Sequence, residues 1–157
     1  MRGGHSRSAA GPRSRRSGRN GGQSSRSLNT VYFDRNSPGR IVFQESVDNI
    51  AIKYARSDFH NINSGTFYDY WIGRLNFSKA SRKQISVSQS WAKSRIIIDR
   101  ETVFDPSNES GKFVHDFSSD DHVVEVEYAN NWHAVEYKVT LQDVVRTLLN
   151  PDVANHL

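Results

Sequence analysis

The densest grouping of side chains able to do chemistry is His115, Asp116, Asp120, Asp121 and His122, spread over a strand-turn-strand pattern. Carboxylates and imidazoles so spaced are metal ligands in principle. A hard cation such as calcium, however, takes roughly six to eight oxygens at about 2.3–2.6 Å, and the pair Asp120 and Asp121 on one tight turn supplies too few. Turn chemistry accounts for the same residues, because Ser and Asp side chains bond back to their own backbone. Calcium at Asp120 and Asp121 would be held weakly at best, and no cofactor is expected. The chain has no glycine-rich phosphate loop, no His-Glu-x-x-His motif and no nucleophile elbow. It has no cysteine, which excludes thiolate nucleophiles, thiolate metal sites and disulfides. A non-enzymatic protein is expected.

Recognition is the chemistry that remains, and two groups of residues could carry it. Trp91 and Trp132 fall in or beside expected turns, with Lys93 close to the first. An indole face there either stacks on a sugar ring or anchors a protein partner, or else folds over the end of a sheet. Trp71, in a strand pattern, belongs to the core.

The second group is a basic tail. Residues Met1 to Thr30 carry seven arginines, densest at Arg13, Arg15, Arg16 and Arg19, and no acid, for a formal charge of +7. The whole chain is +4, so the remainder stands at −3. Such a tail binds phosphate backbones by counterion release and also binds anionic membrane surfaces, or serves only to solubilise. No aromatic residue precedes Tyr32, so stacking on bases is not open to it. Ordering a residue costs about 1–2 kcal/mol, more than this apolar-poor segment can recover, and it is expected to be disordered. It lacks the apolar stretch of about 7–15 residues of a secretory signal, and no segment approaches the roughly 20 apolar residues of a membrane span.

The elements that would position these groups read as strands. The centre is the run Thr66 to Phe104. Phe67 to Phe77 is aromatic and alternating, Gln84 to Ser90 alternates, and Arg95 to Asp99 holds the apolar run Ile96–Ile98, of the kind buried on both faces. Asp99-Arg100-Glu101 turns into Thr102-Val103-Phe104. Before the centre, Thr30–Phe33, Arg40–Gln44 and Ile50–Tyr54 are shorter strands, the first two separated by a turn around Pro38-Gly39. Ser57 to Gly65 reads as a loop. After the centre comes a loop at 105–111, then a strand at Lys112–Phe117. His122–Tyr128 and His133–Val139 are expected to form a hairpin around Asn130-Asn131, with Val135 opposite Val126 and Glu125 opposite Glu136. Thr140-Leu141-Gln142-Asp143 has the form of a capping box, and Leu141, Val144, Val145, Leu148 and Leu149 continue at helical spacing to Pro151. The expectation is an antiparallel β-sandwich over 31–157 with a short C-terminal helix and a disordered tail over 1–30.

The order of these signals resembles the PA14 family, the β-sandwich of an anthrax toxin component, yeast adhesins and glycosidases. Phe67 to Leu75 is similar to its F-x-x-x-W-x-G-x-L strand, and Ile85-Ser86-Val87 to its Y-x-F-x-V strand. Arg95 to Asp99 with Val103 is similar to its R-L-x-I-D-G-x-x-V hairpin, and His122 to Tyr128 to its H-x-I-x-V-E-Y strand, before a closing strand at Ala134–Val139. The resemblance covers about residues 43–141. It implies recognition of a carbohydrate or a protein through loops, at the cell surface or outside the cell. Two departures qualify it. Where many members carry Asp-Asp-Gly, and the adhesin branch holds calcium and sugar with an adjacent Asp pair, this chain has Ser88 to Ser94, with Lys93 and no carboxylate. Calcium-dependent sugar binding of that kind is therefore not implied. Arg100 also replaces the glycine that follows Asp99.

Overall fold

The aromatic run is a long strand whose alternate residues point inward: Phe67, Asp69 and Trp71 are buried while Tyr68, Tyr70 and Ile72 face out. Aromatic and β-branched residues fill such a pleated, half-buried surface well. In the computed structural model, which describes residues 27–144, this strand lies inside a larger sheet. In chain order the strands are β1 (Leu28–Asp34), β2 (Ile41–Val47), β3 (Ile50–Ala55), β4 (Asp58–Phe59), β5 (Ile62–Asn63), β6 (Phe67–Asn76), β7 (Ser81–Gln89), β8 (Ala92–Ile98), β9 (Glu101–Phe104), β10 (Gly111–Phe117), β11 (Asp121–Asn130) and β12 (Ala134–Asp143). One sheet has the order β2-β1-β6-β11-β8-β9 and the other β10-β7-β12-β3, with β4 and β5 a small separate hairpin. Every named pairing is antiparallel. The fold is mainly β, a two-layer antiparallel sandwich.

The core is the space between the layers. Tyr137 of the smaller sheet lies against Tyr128 of the larger at 4.5 Å between ring centroids, and against Trp71 at 5.7 Å. Aromatic pairs of this kind add about 0.5–1.5 kcal/mol beyond the area they bury. Ile96, Ile98 and Val126 face Ile85, Val87 and Val135 in the same buried layer.

The expected hairpin around Asn130-Asn131 does not form. β11 pairs on both edges within the larger sheet, with Val126 opposite Trp71 and Ile96, whereas β12 lies in the other sheet with Val135 opposite Tyr54. Glu125 therefore faces Ile72 and Ile97, and Glu136 faces Lys53, 3.6 Å away as an ion pair. Alternation dictates which face of a strand is buried and says nothing about its neighbours. Both edges of each strand are filled within its own sheet, β11 by β6 and β8 and β12 by β3 and β7, which leaves no edge for the two to share. The inward faces of both strands are the expected ones: Val126 and Tyr128, Val135 and Tyr137.

Further expectations need correction. Ile96 and Ile98 are 1% and 2% exposed, but Ile97 lies half-buried on the outer face, so the run is not buried on both sides. The expected tail runs to Thr30, yet Leu28, Asn29 and Thr30 belong to β1 and pair with β2 and β6. The capping-box residues Thr140 to Asp143 are the last residues of β12, paired with β7, so no helix begins there. The remainder of the expected helix from 145, and the tail over 1–26, lie outside the described residues. The turn at Asp99-Arg100 does form without a glycine: both residues take positive φ, 50° and 73°, and join Ile98 directly to Glu101. Two successive left-handed residues make a type I′ turn, whose twist suits a hairpin.

Candidate functional site

Two turns cross from one sheet to the other at the same end of the sandwich. Ser90-Trp91 links β7 to β8, and residues 131–133 link β11 to β12. They are tied together: Asn131 N–H donates to the Trp91 carbonyl at 3.0 Å, and Ser90 N–H to the Glu136 carbonyl at 3.2 Å. Trp91 itself is left-handed, at φ 43°. A bulky residue at positive φ is uncommon, and here the crossing turn holds it.

Asn130 anchors the second turn. It is fully buried at the end of β11, where its amide donates to the carbonyls of Ser64, at 2.6 Å, and Trp132, at 2.5 Å. Its own carbonyl accepts from the Tyr128 hydroxyl at 3.2 Å. Ser64 in turn donates its hydroxyl to the His133 carbonyl at 2.8 Å. Arg35 braces the same region from the β1–β2 turn, donating to Asn131 Oδ1 and to the Gly65 carbonyl, each at 3.0 Å.

On this braced end the two indoles meet. Trp91 and Trp132 are 59% and 45% exposed, with ring centroids 5.6 Å apart and planes 32° from parallel. The His133 ring continues the group at 4.4 Å from Trp132. The structure thus brings together two of the three ligand-binding candidates. Lys93, the third, lies within β8 on its outward side, exposed, where it bridges to Ser107 of the 105–110 loop.

The metal-ligating candidates are dispersed instead. His115 and Asp116 are on β10 in the smaller sheet, while Asp121 and His122 are on β11 in the larger. Asp120 Oδ1 accepts from the Asp121 N–H at 3.0 Å, and Asp121 Oδ1 accepts from the Asn76 amide at 2.7 Å. The first bond is a side chain closing on its own turn, and the second is a pair across neighbouring strands. Among the described residues no group of three or more His, Cys, Asp or Glu is placed to hold a metal ion. The arginines Arg13, Arg15, Arg16 and Arg19 lie outside the described residues.

Two titratable arrangements escaped the sequence. At the end opposite the tryptophans, His122 is 7% exposed and pairs through Nδ1 with Asp99 Oδ2 at 2.6 Å, while Nε2 faces the Ser118 carbonyl at 3.2 Å. Burial alone would lower its pKa. The Asp99 hydrogen bond and the Ser118 carbonyl, with the Asp99 and Asp120 charges, outweigh burial and raise it. Asp99 is correspondingly lowered, chiefly by the His122 hydrogen bond. The other is Asp69, fully buried on β6, whose carboxyl is pushed up by burial to about 8. Its position on the inward face of an alternating strand was the available signal.

No family model matches the chain, and no curated protein matches it. Solved structures do share the fold. An anti-sigma factor domain-containing protein from Clostridium clariflavum is matched over 76% of this chain and 42% of its own, at 17% identity and a TM-score of 0.65. A β-glucosidase from Kluyveromyces marxianus is matched over 75% of this chain and 16% of its own, at 9% identity and a TM-score of 0.59. A PA14 sugar-binding domain from an RTX adhesin is matched over 76% of this chain and 91% of its own, at 13% identity and a TM-score of 0.49. The chain spans about a sixth of the β-glucosidase and under half of the anti-sigma protein. The relation to PA14 is a weak resemblance, and the likeness to the other two is one of fold.

Proposed function

We propose that this protein is a non-catalytic recognition module that binds carbohydrate at the end carrying Trp91 and Trp132. The observation that carries this reading is the pair itself: two large apolar rings, one backbone-locked by its turn, held beside each other and left half in water. A pyranose offers one C–H face to such a ring and its hydroxyls to the polar groups around it. The fold's presence in a β-glucosidase is compatible with this ligand class and, at 9% identity, assigns none.

The test is glycan-array binding of the full chain beside Trp91→Ala and Trp132→Ala. Either truncation is expected to weaken binding by about tenfold or more, the loss of an interface anchor worth upward of 1 kcal/mol. Unchanged binding in both variants refutes the reading.

The composition of the tail supports a second reading, in which residues 1–26 bind a nucleic-acid backbone and the sandwich is a structural body. Deleting 1–26 separates the two, because it leaves carbohydrate binding intact on the first and abolishes binding on the second.

A further inference from the structure

We propose that a pocket on the flank of the aromatic end, between the β1–β2 turn and the β4–β5 hairpin, is a subsite for one neutral sugar ring. The proposal rests on the reading of that end as saccharide-binding and adds the place and the chemistry of a second contact.

The pocket has a volume of about 380 Å³, within the range of small-molecule sites. Its floor is aromatic. The Phe43 ring, 38% exposed, stacks on His60 with centroids 3.6 Å apart and planes 15° from parallel. His60 is held in turn against Phe59, edge-on at 4.3 Å, and Tyr32 at 5.5 Å, so the floor is fixed before any ligand arrives. The rim is polar: Asp34, Ser37, Arg40 and Asn61. Asp34 uses one carboxylate oxygen, Oδ1, to accept from the Asn36 N–H at 2.9 Å. The side chains of Arg40 and Asn61 have no hydrogen-bond or ion-pair partner among the described residues.

A strained backbone presents part of this rim. His60 and Asn61 are the two central residues of the β4–β5 turn, at φ 52° and 63°. The left-handed region is disfavoured for a non-glycine residue, less so for Asn, and here it places the ring and the amide on the pocket.

The ligand class follows from the groups. A carboxylate that accepts, a guanidinium and an amide that donate, and an aromatic face suit vicinal hydroxyls above a C–H face. The rim's charges, one acid and one base, cancel. The rim thus carries no net charge to reward a phosphate or a uronic acid, so the neutral hexose is preferred. The pocket also adjoins the indoles. Arg35 follows Asp34 in the chain, and its guanidinium reaches Asn131, the neighbour of Trp132. One oligosaccharide can therefore run from the pocket to the tryptophans.

The experiment is an amide-detected NMR titration of the full chain with the methyl glycosides of glucose, galactose, mannose and glucuronic acid. Wild type, Arg40→Gln, Asn61→Gly and Trp132→Ala are compared, each first checked for wild-type melting. Glycine at 61 keeps the left-handed turn while removing the amide. A neutral hexoside is expected to shift the amides of Arg40, His60 and Asn61, and Arg40→Gln and Asn61→Gly are each expected to weaken it about tenfold. If hexosides shift only Trp91 and Trp132, or bind both pocket variants like wild type, the subsite is wrong and the tryptophan reading stands. If none of the four sugars binds, both are wrong. If the glucuronoside binds tightest, the neutral-ligand assignment is wrong.

Discussion

Replacing Asp69 by Asn tests the interior of the sandwich through its pH dependence. Oδ1 of Asp69 accepts from the Thr30 hydroxyl at 2.5 Å, while Oδ2 is buried without a partner. The strands beside it present Tyr32 and Tyr128, and the charge on it is felt by Tyr54 and Tyr137 from the other sheet. Burial raises the carboxyl from 3.8 to about 8 and Glu45 adds to the rise, against smaller opposing effects from Thr30 and the Tyr70 backbone. The folded state therefore holds this proton more tightly than the unfolded chain. Between about pH 4 and pH 8 stability must fall as pH rises, by up to about 1.4 kcal/mol per pH unit, a total on the order of 5 kcal/mol. Asn is neutral at every pH, matches Asp in shape and keeps the acceptor for Thr30. Urea unfolding of both proteins over that range isolates the carboxyl, since subtracting the variant removes the changes due to all other groups. Asp69→Asn is expected to gain on the wild type steadily and to be the more stable by about pH 8. A constant difference would refute the reasoning, because it would mean that Asp69 titrates like an exposed acid.

Arg100→Gly should stabilise the protein by roughly 0.5–1 kcal/mol, relief of left-handed strain less the entropy of glycine, and raise Tm by a few degrees. An unchanged or lower Tm would contradict the φ of 73° at that turn. Ile96→Asp should abolish folding, since burying a carboxylate costs several kcal/mol against a total of about 5–15, while Ile97→Asp should give a soluble protein with a cooperative melt. Equal damage at both would show that the outer face of β8 is covered. His122→Gln removes a pair whose contribution is complete between about pH 4 and 6.5. It fades as pH rises through the raised His122 pKa or falls through the lowered Asp99 pKa. The stability difference from wild type should therefore peak in that window, and a flat profile would separate the two residues.

The strands were legible from period-two alternation and the punctuation of Gly, Pro and Asp-rich turns: Phe67–Phe77 and Lys112–Phe117 read as strands, each within one residue of the observed Phe67–Asn76 and Gly111–Phe117, and the inward faces of β11 and β12 were the expected ones. Partnership was not legible. The short link at 131–133 looks like a hairpin turn in sequence, and whether such a link pairs its strands or carries the chain across the core depends on what else fills their edges. The apolar run Ile96–Ile98 misled for a related reason. Its outer member is screened by its neighbours on the sheet without being in the core, and a sequence does not separate those two kinds of cover. The capping-box pattern at Thr140–Asp143 lost to the ladder with β7, the common outcome when local helix signals compete with tertiary pairing.

The site was legible in part because Trp91 and Trp132 stood out at expected turns, whereas the pocket rim comes from the β1–β2 turn and from a hairpin of two-residue strands too short to read. Energetics connect the two. Half of two indoles, roughly 250 Å² in all, stays in water. Covering half of that at about 25 cal/mol per Å² yields on the order of 3 kcal/mol, and the loss of rigid-body freedom on association offsets much of it. The tryptophans alone therefore support binding no tighter than millimolar. Arg40, Asp34 and Asn61 are what can carry affinity beyond that, since a hydrogen bond to a charged group such as the first two contributes about 1.5–3 kcal/mol and one to a neutral amide about 0.5–1.5. A trisaccharide long enough to engage both places should consequently bind at least about tenfold tighter than the methyl glycoside of the same hexose, and that ratio should collapse to near unity in Arg40→Gln. A trisaccharide no tighter than its monomer in the wild type would mean that the two places do not share one ligand.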